Sequence, residues 1–482
     1  MRLTTLAAAP LLAALAGCAT APATTPAFTP TAPTQGQVQP RAKNVIFFLG
    51  DGMGINTLTA ARIFAVGESG DLTIDTLPES AFIKTFSNNA QVTDSAASMS
   101  AYMTGMKQDN EVVSMSPGTR FIKAGPDKNG NLLASRCENG HPVPTLAEIA
   151  KQHGLATGVV TTDSVTGATP AATLTHECSR QLQNDIAAAL VPGGAGFNAA
   201  LGSGVDLVFG GGRENFTPFE RGGKRSDGRD LLAELAARGY RVAGTTAQMQ
   251  ALDPGARQPA IGLFAQTTMS YDAVRDPAKE PSLTDMTNKA IDILSRRPGG
   301  FFLMVEGGRI DHALHATLAK RALQETVSYN AALKAAIDKM ERIDPGLKNT
   351  LIVATADHDH TLLLNGYSPR TGPTTPSHPG VLGLAHNIPD TGPRLDKDGA
   401  PYTIIGFGTG EHRVQGSRAP QKLTDDIVSA DDYHQEAVIR MGSETHSGTD
   451  VYLGAIGANA ELFRGTIDNT RVFSLIKTAA GW

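Results

Sequence analysis

The chain has 482 residues, 41% of them hydrophobic and 18% charged, enough for one large globular core or two average ones. A formal net charge of −5 gives no support for nucleic-acid binding, so attraction for an anionic ligand must come from bound cations and a few basic residues. Three cysteines, widely spaced, leave no room for a thiolate zinc cluster.

Residues 1–18 read as an export signal. Arg2 precedes a small-residue and leucine-rich stretch too short to cross a bilayer, which suits a secretory segment. Leu15-Ala16-Gly17-Cys18 resembles the lipobox of bacterial lipoproteins. It implies cleavage before Cys18, lipidation of that thiol, and membrane contact through the anchor in the periplasm or at the cell surface; the alternative is an ordinary signal peptide with a chance cysteine. Residues 19–42, rich in Ala, Thr and Pro, cannot form a core and suit an extended tether, with the folded domain at 43–482.

The apolar run 45–49 predicts a strand that stops at GDGMG, 50–54, with Asp51 at the corner. QVTDSAASMSA, 91–101, predicts a helix start at Ser95. There the hydroxyl is either a helix cap or, with free backbone N–H groups and a cation to ionise it, a nucleophile. Cys137 and Cys178, the two cysteines left after processing, form one disulfide or remain two free thiols. Val159 and Val160 lead towards GATP at 167–170, and the run 205–209 ends in Gly210-Gly211-Gly212, an ordinary turn.

FFLMVEGGRIDHALH, 301–315, is the most informative stretch. A predicted strand ends in Glu306 and two glycines, and Asp311 and His315 follow four apart, on one helical face. That pair is either a surface feature or part of a metal site. The run 351–354 leads to Asp357-His358-Asp359-His360. Residues 362–435, with Pro, Gly and Thr clusters and few apolar runs, read as a loop-rich insertion. Continuous apolar runs closed by turn residues predict strands buried on both faces, hence an α/β fold: a large, mostly parallel central sheet flanked by helices on both faces. Ligands of such sheets gather beyond the strand carboxyl ends, which brings Asp51, Asp311, Asp357 and His358 to one edge.

The chain resembles the alkaline phosphatases, the family with a serine nucleophile, two zinc ions and one magnesium ion. The matching segments are GDGMG at 50–54, TDSAAS at 93–98, GATPAAT at 167–173 with Ser179-Arg180 downstream, VEGGRIDHALH at 305–315, TADHDH at 355–360 and ETHSGTD at 444–450. The resemblance implies Ser95 as the nucleophile of a phosphoseryl intermediate, Arg180 as the grip on phosphate, and Asp94 as the residue that orients Arg180. It implies one zinc on Asp311, His315 and His446, a second on Asp51, Asp357 and His358, and a magnesium on Asp51, Thr169 and Glu306. His360 would lie near the zinc pair in a hydrogen-bonding role, and His312 would reach phosphate through water or tune the field. Gly167 departs from the pattern: many relatives carry Asp or His there, so side-chain support for the magnesium is missing. Homodimers and a crown-like insertion at 362–435 are further expectations.

The leading activity is hydrolysis of small phosphate monoesters outside the cytoplasm. A phosphodiesterase or sulfatase of the same superfamily is the alternative, although Asp94-Ser95-Ala96-Ala97 lacks the Pro- and Arg-containing pattern of sulfatases. A non-catalytic lipoprotein that binds phosphate or metal is the third reading; it requires a missing ligand or nucleophile, and none is missing.

Overall fold

A computed structural model describes residues 41–126, 132–133 and 135–482. The export signal, Cys18 and all but the end of the tether lie outside the described residues. Ala42 is already buried and its N–H bonds Ala479 O, so the folded chain starts just before the expected Lys43.

Ten strands form the main sheet: β1 (Asn44–Gly50), β2 (Glu79–Lys84), β3 (Ala156–Ser164), β4 (Leu207–Gly211), β5 (Arg241–Ala243), β6 (Ala260–Leu263), β7 (Phe301–Gly307), β8 (Thr350–Ala356), β9 (Val451–Gly457) and β10 (Gly465–Asp468). Their order is β10-β2-β9-β8-β1-β7-β3-β4-β6-β5. Seven junctions are parallel; only β9 runs against both its neighbours.

Buried apolar runs build the middle of this sheet because both of its faces are covered. In β1, adjacent Phe47 and Phe48 point to opposite faces: Phe47 meets Tyr102 at 5.4 Å between ring centroids, and Phe48 meets Tyr329 at 5.8 Å. Tyr102 belongs to the helix Ser95–Thr104 and Tyr329 to the helix Ala319–Ile343, so one helical layer lies on each side. Each phenylalanine is fully buried and contributes about 2–3 kcal/mol of apolar transfer free energy.

Beyond the sheet, Leu362–Leu364, Ile405–Gly410 and Ala437–Arg440 form a three-stranded sheet whose intervening segments are mainly loops and isolated bridges. Cys137 and Cys178 are joined as a disulfide. No helix among the described residues is long and apolar enough to cross a membrane.

Candidate active site

Register delivers the site. Gly50 of β1 is paired with Gly307 of β7 and with Ala356 of β8, so the next residues of β1 and β8, Asp51 and Asp357, leave the sheet side by side. Glu306, paired with Leu49, lies one residue back in β7. The helix Arg309–His315 follows β7 at once and carries Asp311 and His315. A two-stranded ladder then pairs His360 with His446, bringing the carboxyl-terminal region to the same edge.

The glycines of 50–54 permit this crowding. Gly52 has φ +67°, and a Cβ there would lie 2.5 Å from the His360 ring; a Cβ on Gly54 would lie 1.6 Å from Asp359 Oδ1.

Ser95 is the first residue of its helix, and the cap reading fails: Asp94 is the cap, accepting from Ala97 N at 3.0 Å. The serine hydroxyl is free to face Asp51 Oδ1 at 3.3 Å and His358 Nε2 at 3.2 Å. Ser98 Oγ and Tyr102 Oη donate to the carbonyls of Asp357 and Ala356 at 2.7 and 2.9 Å, which pins the helix to the end of β8. Asp94 also accepts from Glu111 N and from Arg180 Nη1, both at 3.1 Å. The Arg180 guanidinium is thereby held beside the serine's helix start.

One triangle of candidate ligand atoms consists of His315 Nε2, His446 Nε2 and Asp311 Oδ1. Its edges are 3.1, 3.3 and 3.4 Å. His315 Nδ1 donates to Glu444 O at 2.7 Å and His446 Nδ1 to Thr93 O at 3.0 Å. Those bonds fix each tautomer and leave both Nε2 atoms as acceptors. Two imidazole lone pairs and a carboxylate oxygen facing one another repel unless a cation lies between them. Tetrahedral zinc with ligands at about 2.0–2.1 Å sets ligand–ligand separations of about 3.3 Å, the size of this triangle.

The second group centres on His358 Nε2, with Asp357 Oδ2 at 3.2 Å, Asp51 Oδ1 at 3.4 Å and Ser95 Oγ at 3.2 Å. Asp357 Oδ2 is buried without a hydrogen bond. Ligand atoms of Asp51, Asp311 and His358 lie within 4.8 Å of one another, so the two groups adjoin.

The third group is all oxygen. Glu306 is fully buried; Oε2 accepts from Thr161 Oγ1 at 2.5 Å, while Oε1 and the nearby Thr169 Oγ1 make no hydrogen bond within 3.5 Å.

Electrostatics tells the same story. Burial, and then the charges of Asp357, Asp311 and Glu306, push the Asp51 carboxyl well above its ordinary range. Burial, then Asp163, pushes Glu306 up to about 8. Burial holds His358 well below the ordinary imidazole value, keeping it neutral as a ligand should be. Asp311 is the exception: burial acts to raise it, but the hydrogen bond and charge of His360 hold it well below the ordinary value.

His360 donates to Asp311 Oδ1 at 2.8 Å and shares its other ring nitrogen with Glu444 Oε2 at 2.5 Å. Both nitrogens are engaged, so it orients Asp311 and has no lone pair to offer. Glu444, not singled out from the sequence, also accepts from Thr361 N and Oγ1. Its only sequence signal was its place at the head of ETHSGTD. His312 hydrogen-bonds Arg309 and lines a cavity of about 290 Å³ with His315, His412 and His434.

A serine stands beside adjoining carboxylate–imidazole groups that could hold metal ions, at the carboxyl edge of an α/β sheet, an arrangement that suits hydrolysis. The sequence pattern of the alkaline phosphatase family matches residues 42–482, and the chain belongs to that family. It is 34% identical over 456 residues to the rat tissue-nonspecific isozyme of alkaline phosphatase, covering 88% of this chain and 81% of that one. It is 35% identical over 454 residues to alkaline phosphatase of Gadus morhua, covering 88% and 89%. Among solved structures, Thermus thermophilus alkaline phosphatase superposes with a TM-score of 0.63 at 25% identity, covering 94% of this chain and 96% of that one. The enzyme of the Antarctic bacterium TAB5, at 24% identity and a TM-score of 0.62, covers 92% of this chain and 99% of that one and shares the fold. Family membership supports phosphatase activity.

Proposed function

We propose that the chain is an extracytoplasmic phosphate monoester hydrolase acting through a phosphoseryl intermediate on Ser95. The observation that carries this reading is the Ser95 hydroxyl at the first turn of its helix, 3.2 Å from His358 Nε2 and 3.3 Å from Asp51 Oδ1. With Asp51 and His358 committed as metal ligands, neither would serve as its base, and the cation they hold would lower the pKa of the hydroxyl and make it a nucleophile.

Asp311, His315 and His446 would hold one zinc ion and Asp51, Asp357 and His358 the other, because imidazole and carboxylate suit zinc; Asp51, Thr169 and Glu306 would hold magnesium, which prefers oxygen. Bound there, the ions would lower the pKa of the serine and of water and neutralise charge on the attacking and leaving oxygens.

In the first step Ser95 Oγ forms a bond to phosphorus as the ester P–O bond breaks and the alcohol departs. Arg180, aligned by Asp94, binds two phosphate oxygens side by side and keeps the group in line. In the second step water attacks phosphorus, Ser95 leaves with its hydroxyl restored, and inorganic phosphate is released. The substrates expected are small molecules with an exposed terminal phosphate.

The disulfide between Cys137 and Cys178 supports an oxidising compartment, in keeping with export and an anchor at Cys18. Several large apolar side chains in and next to the loop-rich region are exposed, among them Tyr367, Ile388, Leu395, Val438 and Ile439, in keeping with a homodimer interface at the crown-like segment 362–435.

The test compares hydrolysis of a phosphate monoester, a phosphate diester and a sulfate ester by the zinc- and magnesium-loaded protein. The monoester should be turned over at least about a hundredfold faster in kcat/KM, a difference of about 2.7 kcal/mol in transition-state binding. A faster diester or sulfate ester would move the assignment to that activity.

A further inference from the structure

Gly167 leaves a gap in the all-oxygen group, and the structure shows what fills it. Its φ is −60°, so no backbone strain demands glycine. The space of the missing side chain belongs to another residue: a Cβ on Gly167 would lie 2.3 Å from Asp163 Oδ2 and 3.2 Å from Asp163 Cγ. Asp163 comes from β3, four positions earlier. A Cβ on Gly308 would touch both Asp163 Cβ at 2.8 Å and Glu306 Oε1 at 3.2 Å, so Asp163 and Glu306 flank the same point.

Asp163 is held there through its backbone. Its N–H donates to Thr161 Oγ1 at 2.7 Å, and that hydroxyl donates to Glu306 Oε2. The Asp163 carboxylate itself has no hydrogen bond or ion pair among the described residues. Beside it, Glu306 Oε1 and Thr169 Oγ1 are buried and make no hydrogen bond within 3.5 Å, although Thr169 lies close enough to Glu306 to act against the rise of its pKa. Buried polar atoms are rarely left unpaired, and two acceptors converging with a hydroxyl suit a hard divalent cation with some of its water.

We infer that Asp163 completes the third cation site, supplying from β3 the carboxylate that position 167 lacks. This rests on the reading of Glu306 and Thr169 as magnesium ligands. Asp163 acts as a positioning residue: magnesium keeps several waters, and a carboxylate next to the ion accepts their hydrogens and fixes its place. Gly167 and Asp163 are then one device, because a side chain at 167 and a carboxylate at 163 compete for one volume.

The test titrates magnesium chloride into zinc-loaded protein by calorimetry and counts magnesium per chain after equilibrium dialysis. It uses wild type, Asp163→Asn, and the double variant Asp163→Ala with Gly167→Asp. Asp163→Asn should weaken magnesium binding by about 10- to 100-fold, as loss of a carboxylate beside a metal ligand does, with zinc content unchanged. The double variant, which returns a carboxylate to the vacated volume, should recover most of the affinity. Magnesium affinity of Asp163→Asn within about twofold of wild type overturns the inference, as does a wild type that takes up no third cation. Zinc content and phosphorylation of Ser95 in the same samples report the hydrolase reading separately.

Discussion

Glu444 offers the sharpest quantitative prediction. It is 1% exposed and accepts three hydrogen bonds, from His360 Nδ1, Thr361 N and Thr361 Oγ1. Through His360 it governs Asp311, a corner of the first ligand triangle. Glu444→Ala leaves those donors without an acceptor. At about 1–3 kcal/mol for each buried unpaired group, and less for half-buried Thr361, the loss is about 3–5 kcal/mol, the range for breaking a buried charged pair. Glu444→Gln keeps one acceptor oxygen and the shape, and should cost about 1–2 kcal/mol. At about 2.1 cal/mol/K of unfolding entropy per residue, a chain of this size converts 4 kcal/mol into a Tm lower by about 4 °C. Calorimetric scans and zinc analysis of the dialysed proteins measure both effects. The alanine variant should lose the zinc we assign to Asp311, His315 and His446 well before the glutamine variant does. A Glu444→Ala protein with wild-type Tm and full zinc content would refute the argument that this network sets the triangle.

Three further outcomes follow from other contacts. Asp94→Ala removes a helix cap, about 1 kcal/mol, and frees Arg180; KM for a monoester should rise, while Asp94→Asn should keep the cap and the stability. Cys137 and Cys178 close a loop over a sequence separation of 41, so replacing both by alanine should lower stability by up to about 4 kcal/mol in denaturant titration. His176 is paired with buried Glu148 at 2.6 Å. Burial acts to lower its imidazole, but the hydrogen bond and charge of Glu148 outweigh it and raise the pKa; burial acts to raise Glu148, but the His176 bond lowers it. The pair's stabilisation is therefore complete between the ordinary glutamate and histidine values, about pH 4.5 to 6.5, and fades as pH rises through the folded value of His176 or falls through that of Glu148. The Tm deficit of His176→Ala should be larger at about pH 6 than at about pH 9.5; an equal deficit would contradict the pairing.

Much of the site was legible because its ligands sit where apolar runs stop. Runs of Val, Ile, Phe and Leu at 45–49, 301–305 and 351–354 could only be two-sided strands, and the acids after them had to share an edge. Residues placed by tertiary pairing carried no such signal. The role of Glu444 depends on the ladder between Asp359–His360 and His446–Ser447, which joins segments far apart in the chain. That Asp94 caps the helix, leaving Ser95 free, turns on a one-residue boundary that propensity does not resolve. The reversed direction of β9 was equally hidden, since a buried strand reads alike in either sense. Asp163 escaped notice because its meaning lies in Gly167, a missing side chain.

The central claim is that Ser95 is a nucleophile between cation-binding carboxylates and imidazoles. Its most direct test is the turnover of a simple phosphomonoester by the mature protein, after dialysis with zinc and magnesium, beside Ser95→Ala. Ser95→Ala should lose at least about three orders of magnitude in kcat with zinc content retained, and acid-stable phosphate should appear on the wild-type serine alone. A Ser95→Ala protein that keeps most of its activity, or a fully metallated wild type that is inert, would contradict it.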